Sequence, residues 1–138
     1  LGLGSRITQV LDLELSLPAV GQGVIGIECR EDDATSRAAL VALHHEPSFV
    51  RLKAERAFAQ TLGGSCHSPI AAHAAIDRES LVVHGFVGSP DGHEVYRDVE
   101  RGSPADTEAL GRRLATRIQA AGAGALLDRL RDEAAAAS

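Results

Sequence analysis

The 138-residue sequence contains no methionine and opens on a leucine. A translation product starts with methionine, and a leucine in second place does not favour its removal, so the chain is expected to be part of a longer protein. Apolar runs approaching the ~20 residues of a membrane span are missing. Residues 1–5 also lack the basic stretch followed by an apolar core that marks an export signal. No membrane partner is therefore expected. Cysteine is scarce, with only Cys29 and Cys66, which is too few for a disulfide framework and points to the reducing cytoplasm. A basic excess is lacking too. The net charge of −5 argues against nucleic acid as a partner, while leaving room for a local basic pocket that takes an acidic small molecule.

Two common motifs are absent as well. The six histidines (His44, His45, His67, His73, His84 and His93) form no HExxH, and no CxxC accompanies them, so no metal site is expected. Gly21-Gln22-Gly23 lacks the third glycine and the following helix of a dinucleotide fingerprint. Its glycines can let Gln22 project an amide toward a ligand, or can serve as a hinge between domains, and these two roles are compatible.

What is present is a globular balance of 44% hydrophobic and 24% charged residues, enough for one core or for a small domain plus part of another. Ile7, Val10 and Leu11 follow Ser5 at helical spacing and predict a short helix. The β-branched run at 24–27 predicts a strand buried on both faces, with Cys29 packed at its end. Arg30 pairs either with Glu28 or with a carboxylate-bearing ligand. Asp32 and Asp33 cap a helix that runs to about His45, where His44 and His45 suit the helix dipole.

Glu46-Pro47 starts a second helix with an apolar stripe of Val50, Ala54, Ala57, Phe58 and Leu62. Arg51 and Glu55 are its i,i+4 charge pair on a solvated face, and Gly63-Gly64 ends it. Strands are predicted over 70–76, 81–87 and 94–99, separated by polar and glycine-rich turns. Ser103-Pro104 caps a helix carrying Leu110, Leu114 and Ile118 that ends at Gly122. A last helix carries Leu126, Leu127 and Leu130 before a frayed alanine-rich tail. The fold class is therefore an α/β fragment followed by an α+β domain, a three-stranded antiparallel sheet covered by helices on one face.

The most unusual segment is Leu62-Gly63-Gly64-Ser65-Cys66-His67-Ser68-Pro69-Ile70. It places a cysteine in a glycine-rich loop between helix and strand, where the glycines let a bulky ligand approach and His67 favours the reactive thiolate. A small buried thiol is the alternative, and the residues alone leave both open.

Two blocks decide further. Leu17-Pro18-Ala19-Val20-Gly21-Gln22-Gly23-Val24-Ile25-Gly26-Ile27-Glu28-Cys29-Arg30, followed by Asp32-Asp33, is similar to the segment of the porphobilinogen deaminase family that returns from its second domain into its first. Glu55-Arg56-Ala57-Phe58 and the Cys66 loop resemble that family's cofactor-attachment region. The resemblance covers essentially the whole chain. Two departures are the Val24-Ile25 pair, where the family often has alanine first, and His67-Ser68, which leaves the role of the residue after the cysteine open.

The resemblance implies stepwise condensation of four porphobilinogen molecules into hydroxymethylbilane with release of ammonia, in haem and porphyrin biosynthesis. It implies a dipyrromethane cofactor held by a thioether to Cys66, since a soft thiolate adds readily to an electrophilic methylene. Gln22 matches a cleft glutamine with a possible contact to a pyrrole. The catalytic aspartate and the carboxylate-binding arginines of the family are expected upstream of Leu1, so no catalytic residue is assigned here and the chain alone is expected to be inactive. The implied partners are porphobilinogen, the growing polypyrrole and the protein's own N-terminal domains, and the full-length enzyme is expected to be monomeric. Residues 1–45 would be the end of domain 2 and the return strand and helix of domain 1, and 46–138 the C-terminal cofactor-anchoring domain. Rival readings are a non-catalytic binding module with an ordinary thiol, and a small zinc protein.

Overall fold

The computed structural model describes residues 2–64 and 68–136. Its centre is an antiparallel sheet of three strands in the order β1-β2-β3, with β1 at Ile70–Asp77, β2 at Ser80–Gly88 and β3 at Val95–Gly102. Both links are hairpins. The first turns through Asp77-Arg78-Glu79-Ser80, with Arg78 in the left-handed region at φ 55°. In the second, Ser89 Oγ receives the Glu94 amide at 2.9 Å.

Helix α1 spans Ala34–Val41 and α2 Glu46–Thr61. Helix α3 spans Thr107–Ile118, and a π-turn at Gln119–Ala123 leads into α4, Gly124–Ala136. Two of these helices, α2 and α3, pack on one face of this sheet, as the patterning predicts. Alternation along the strands decides what the helices cover. Ala72, Ala74, Leu81, Val83 and Val87 point toward α2 and α3 and are almost fully buried with Phe58, Leu110, Leu114, Ile118 and Leu126. Each large apolar side chain in that layer contributes about 1.5–3 kcal/mol relative to exposure. Gly85, mid-strand in β2, leaves room for the Phe58 ring, which would stand 2.6 Å from any Cβ placed there.

Capping follows the sequence closely. Asp33 accepts the Ser36 amide at 2.9 Å at the start of α1, Pro47 occupies the first turn of α2, and Ser103 accepts from Ala105 before Pro104. Arg117 ties α3 to β3 by donating to Asp98 at 2.7 Å and to Glu100, while Arg113 reaches Glu100 at 2.9 Å.

Four expectations fail. The N-terminal segment forms only a short 3-10 turn, Gly4–Arg6, with Ile7, Val10 and Leu11 exposed, because an apolar stripe without a surface to cover does not stabilise a helix. Residues 24–27 form no strand. Ile25 is 88% exposed, and no described strand pairs with this segment. The first helix stops at Val41, so His44 and His45 sit at the entry to α2 rather than at a helix C-terminus. The alanine-rich tail continues as helix to Ala136.

Candidate functional site

The end of α2 is built by hydrogen bonds that the sequence encodes. Gly63 takes φ +66°, its amide donates to Gln60 O at 3.0 Å, and the Gly64 amide donates to Ala59 O at 2.9 Å. This is the Schellman arrangement, in which a left-handed residue satisfies the last helical carbonyls. The two glycines thus serve the protein's own backbone at the end of this helix. A Cβ on Gly64 would lie 3.1 Å from both Ala59 O and Ile70 Cδ1. Cys66 and His67, with Ser65, lie outside the described residues. The chain is described again from Ser68, and the Gly88 amide donates to Pro69 O at 3.1 Å, tying the entry of β1 to the exit of β2. The described flanks of Cys66 are thus hydrogen-bonded to the end of α2 and to the exit of β2.

The second block lies against the same helix. Ala19 to Gln22 closes a turn through Gln22 N–H to Ala19 O at 3.0 Å, and a second turn follows through Val24 N–H to Gly21 O at 3.1 Å. Gly21 and Gly23 take φ of +72° and +85°. Gln22 is exposed, and its Oε1 accepts the Ala19 amide at 3.1 Å, so the side chain folds over its own turn. Val20 packs on the hydrophobic core.

The residue that holds this turn is one the sequence reading placed elsewhere. Glu55 is only 7% exposed. Its Oε2 accepts the Gly21 amide at 2.8 Å and its Oε1 accepts the Ala74 amide of β1 at 2.8 Å. The expected pair with Arg51 is replaced, since Arg51 donates to Pro47 O and Ser48 Oγ. A signal was available in the sequence. Glu55 is flanked by Ala54, Ala57 and Phe58, at the margin of the apolar stripe, where an ordinary surface carboxylate would be half-desolvated.

Between residues 21–27 and α2 runs an open groove of about 680 Å³, lined among others by Ile25, Ile27, Leu43, Phe49, Leu52 and Arg56. At its rim the His44 ring, 2.7 Å from the Glu46 carboxylate, holds that acid below its ordinary range. Lys53 sits over the Phe49 ring. A smaller cavity of about 350 Å³ lies on the other face of the sheet, where Leu13, Glu14 and Leu17 cover His84, Arg97 and Val99. Burial, and the His73 ring directly across the strand pair, push His84 below the usual histidine value, which favours its neutral form.

The other candidate residues are dispersed. Cys29, expected as a packed thiol, is exposed in the irregular segment, because the strand that would have buried it does not form. Arg30 lies 3.8 Å from Asp33. Among the described residues no three of His, Cys, Asp and Glu are grouped as metal ligands would be.

Residues 49–120 match the family model described as "Porphobilinogen deaminase, C-terminal domain". Residues 1–38 match the one described as "Porphobilinogen deaminase, dipyromethane cofactor binding domain". The chain belongs to the porphobilinogen deaminase family. A porphobilinogen deaminase of Synechococcus sp. (strain RCC307) is 43% identical over 134 residues, 97% of this chain and 42% of that protein. One from Trichlorobacter lovleyi is 42% identical over 128 residues, 93% of this chain and 41% of that protein. The chain spans about two-fifths of the length of these relatives.

Proposed function

We propose that the chain is the C-terminal portion of a hydroxymethylbilane synthase, a transferase that condenses four porphobilinogen molecules head to tail and releases ammonia at each step. The observation that carries this is the match of both family models in chain order, the cofactor-binding model over 1–38 and the C-terminal model over 49–120. The same match supports the division into a return segment at 1–45 and a C-terminal domain at 46–138. So does the core, whose buried members all lie at Ala54 and beyond.

In this reading Cys66 anchors a dipyrromethane cofactor by a thioether. The fit rests on donor chemistry: the attachment needs one soft nucleophile, and Cys66 stands in a connection whose flanks are fixed by the Schellman turn and by Pro69. The bound cofactor would supply the pyrrole to which substrate is joined. This chain's own residues hold that anchor, and Gln22 and the groove along α2 form a wall of the cleft. The acid that stabilises developing positive charge and the cations that bind acetate and propionate belong to upstream domains, consistent with the share of the relatives that the chain spans. The chain alone is then inactive, and the whole enzyme acts as a cytoplasmic monomer. No helix among the described residues is long and apolar enough to cross a membrane.

Intact-mass measurement of the full-length protein tests the assignment. The wild type should carry two added pyrrole units, and Cys66→Ser should lose both the adduct and turnover. Covalent pyrrole retained on the Cys66→Ser protein would overturn it.

A further inference from the structure

We propose that Glu55 is a positioning residue that locks the Gln22 turn onto the edge of the C-terminal sheet. The inference deepens the function proposed above and rests on it for its kinetic part. The geometry is unusual for a helix carboxylate. Both oxygens are used, at 2.8 Å each, and both donors are backbone amides from segments distant in sequence: Gly21 in the turn, and Ala74 on the edge strand β1. Gly21 lies outside every described helix and strand, and β1, which carries Ala74, is paired on one side only among the described strands. Gly21 is in the left-handed region and lies so close to α2 that a Cβ would stand 3.1 Å from Leu52 Cδ1. Its amide is thus aimed at Glu55 by the turn itself. An ionised carboxylate is an acceptor for both donors at once, and charge-assisted bonds of this kind are the stronger class.

The consequence is directional. Gln22 follows Gly21 immediately, and its side chain is folded over the same turn through the Ala19 amide. With Val20 anchored in the core and Gly21 held by Glu55, the position of Gln22 is referred to the body whose helix end and first strand flank Cys66. Released from Glu55, the turn would keep its internal bonds and lose its fixed attitude toward that body.

The test uses the full-length protein with Glu55→Gln, Gln22→Ala and the double variant. The glutamine side chain retains one acceptor oxygen and turns an NH2 group toward the other amide, so one bridge is lost. Hydrogen exchange at the Gly21 or Ala74 amide should accelerate about tenfold or more, as expected for loss of one charge-assisted hydrogen bond, while core amides such as Leu114 keep their protection. In cofactor-loaded enzyme, counted by intact mass, kcat/KM for porphobilinogen should fall about tenfold in each single variant. The double variant should fall no further, because the two act as one unit. Unchanged exchange at both amides would overturn the bridge. Additive losses, a silent Gln22→Ala, or full activity per loaded site in Glu55→Gln would overturn the positioning role. A wild type that carries no pyrrole would sink the proposed function instead, and the exchange measurement would still judge the bridge.

Discussion

Gly111 sits where α3 crosses α2, and replacing it with alanine sets two opposed effects against each other. The added Cβ would lie 2.2 Å from Ala54 O, 3.0 Å from Phe58 N and 3.1 Å from Ala57 Cβ. Two of these three atoms are backbone of α2, so no rotamer change relieves the clash and the helices must separate by roughly 1 Å. A gap of 0.5–1 Å forfeits about a quarter to a half of each contact it opens, and Phe58, Leu110 and Leu114 all pack at this crossing. Overpacking of this kind costs about 1–3 kcal/mol, occasionally more, whereas alanine gains about 1 kcal/mol over glycine in helix propensity. A rigid neighbour selects the upper range, leaving a net loss of about 2 kcal/mol. That corresponds to a fall in Tm of roughly 4–8 °C for a protein of this size.

Gly124→Ala is the control. It is helical, at φ −57° and ψ −52°, and its Cβ would meet nothing closer than Gln119 O at 3.4 Å. Propensity should therefore act alone and stabilise by about 0.5–1 kcal/mol. Thermal and urea melts followed by circular dichroism compare the two. A Gly111→Ala protein that melts at or above the wild type would refute the close crossing.

Two further outcomes follow from charge and exposure. The Arg117 hydrogen bond holds Asp98 below the usual carboxylate range. At Glu100 partial burial acts upward, and Arg117 and Arg113 more than offset it. Carboxyls depressed in the folded state contribute stability that is complete above their unfolded values of about 3.9 and 4.3 and is lost as the pH falls through the folded ones. Arg117→Ala should therefore flatten the loss of Tm in acid, and an equally steep acid slope in the variant would count against the network. Cys29→Ser should change stability by no more than about ±0.5 kcal/mol, because the thiol is exposed. A larger destabilisation in urea melts would mean that Cys29 is packed after all.

The sequence was most legible where a local rule has one outcome. Pro47 and Gly63-Gly64 bracket α2, Asp33 and Ser103 start their helices, and the two turn signals set the hairpins, all as the residues predict. It was least legible where structure depends on distant partners. The residues at 24–27 have the composition of a buried strand, but a strand is made by its neighbours, and no described strand lies beside them. Cys29 followed the fate of that segment. Glu55 looked like half of a surface pair because an i,i+4 arginine is visible in the sequence, whereas the amides of Gly21 and Ala74 come within reach only in the folded chain. Gln22 was picked out by its two glycines, and its turn does stand on α2. That Gln22 accepts a bond from its own turn was not legible from spacing.

The Ala74–Glu55 bond also bears on how many strands the sheet can have. A three-stranded sheet ends in two rims, and a rim with free amides invites another chain to pair. On the β1 rim the Ala74 amide is already taken by a side chain reaching over from α2. An incoming strand would have to evict that carboxylate and leave it desolvated, a loss that one backbone hydrogen bond does not recover. The same side chain that holds the turn therefore also obstructs the pairing of another strand at this point of the rim in the folded chain.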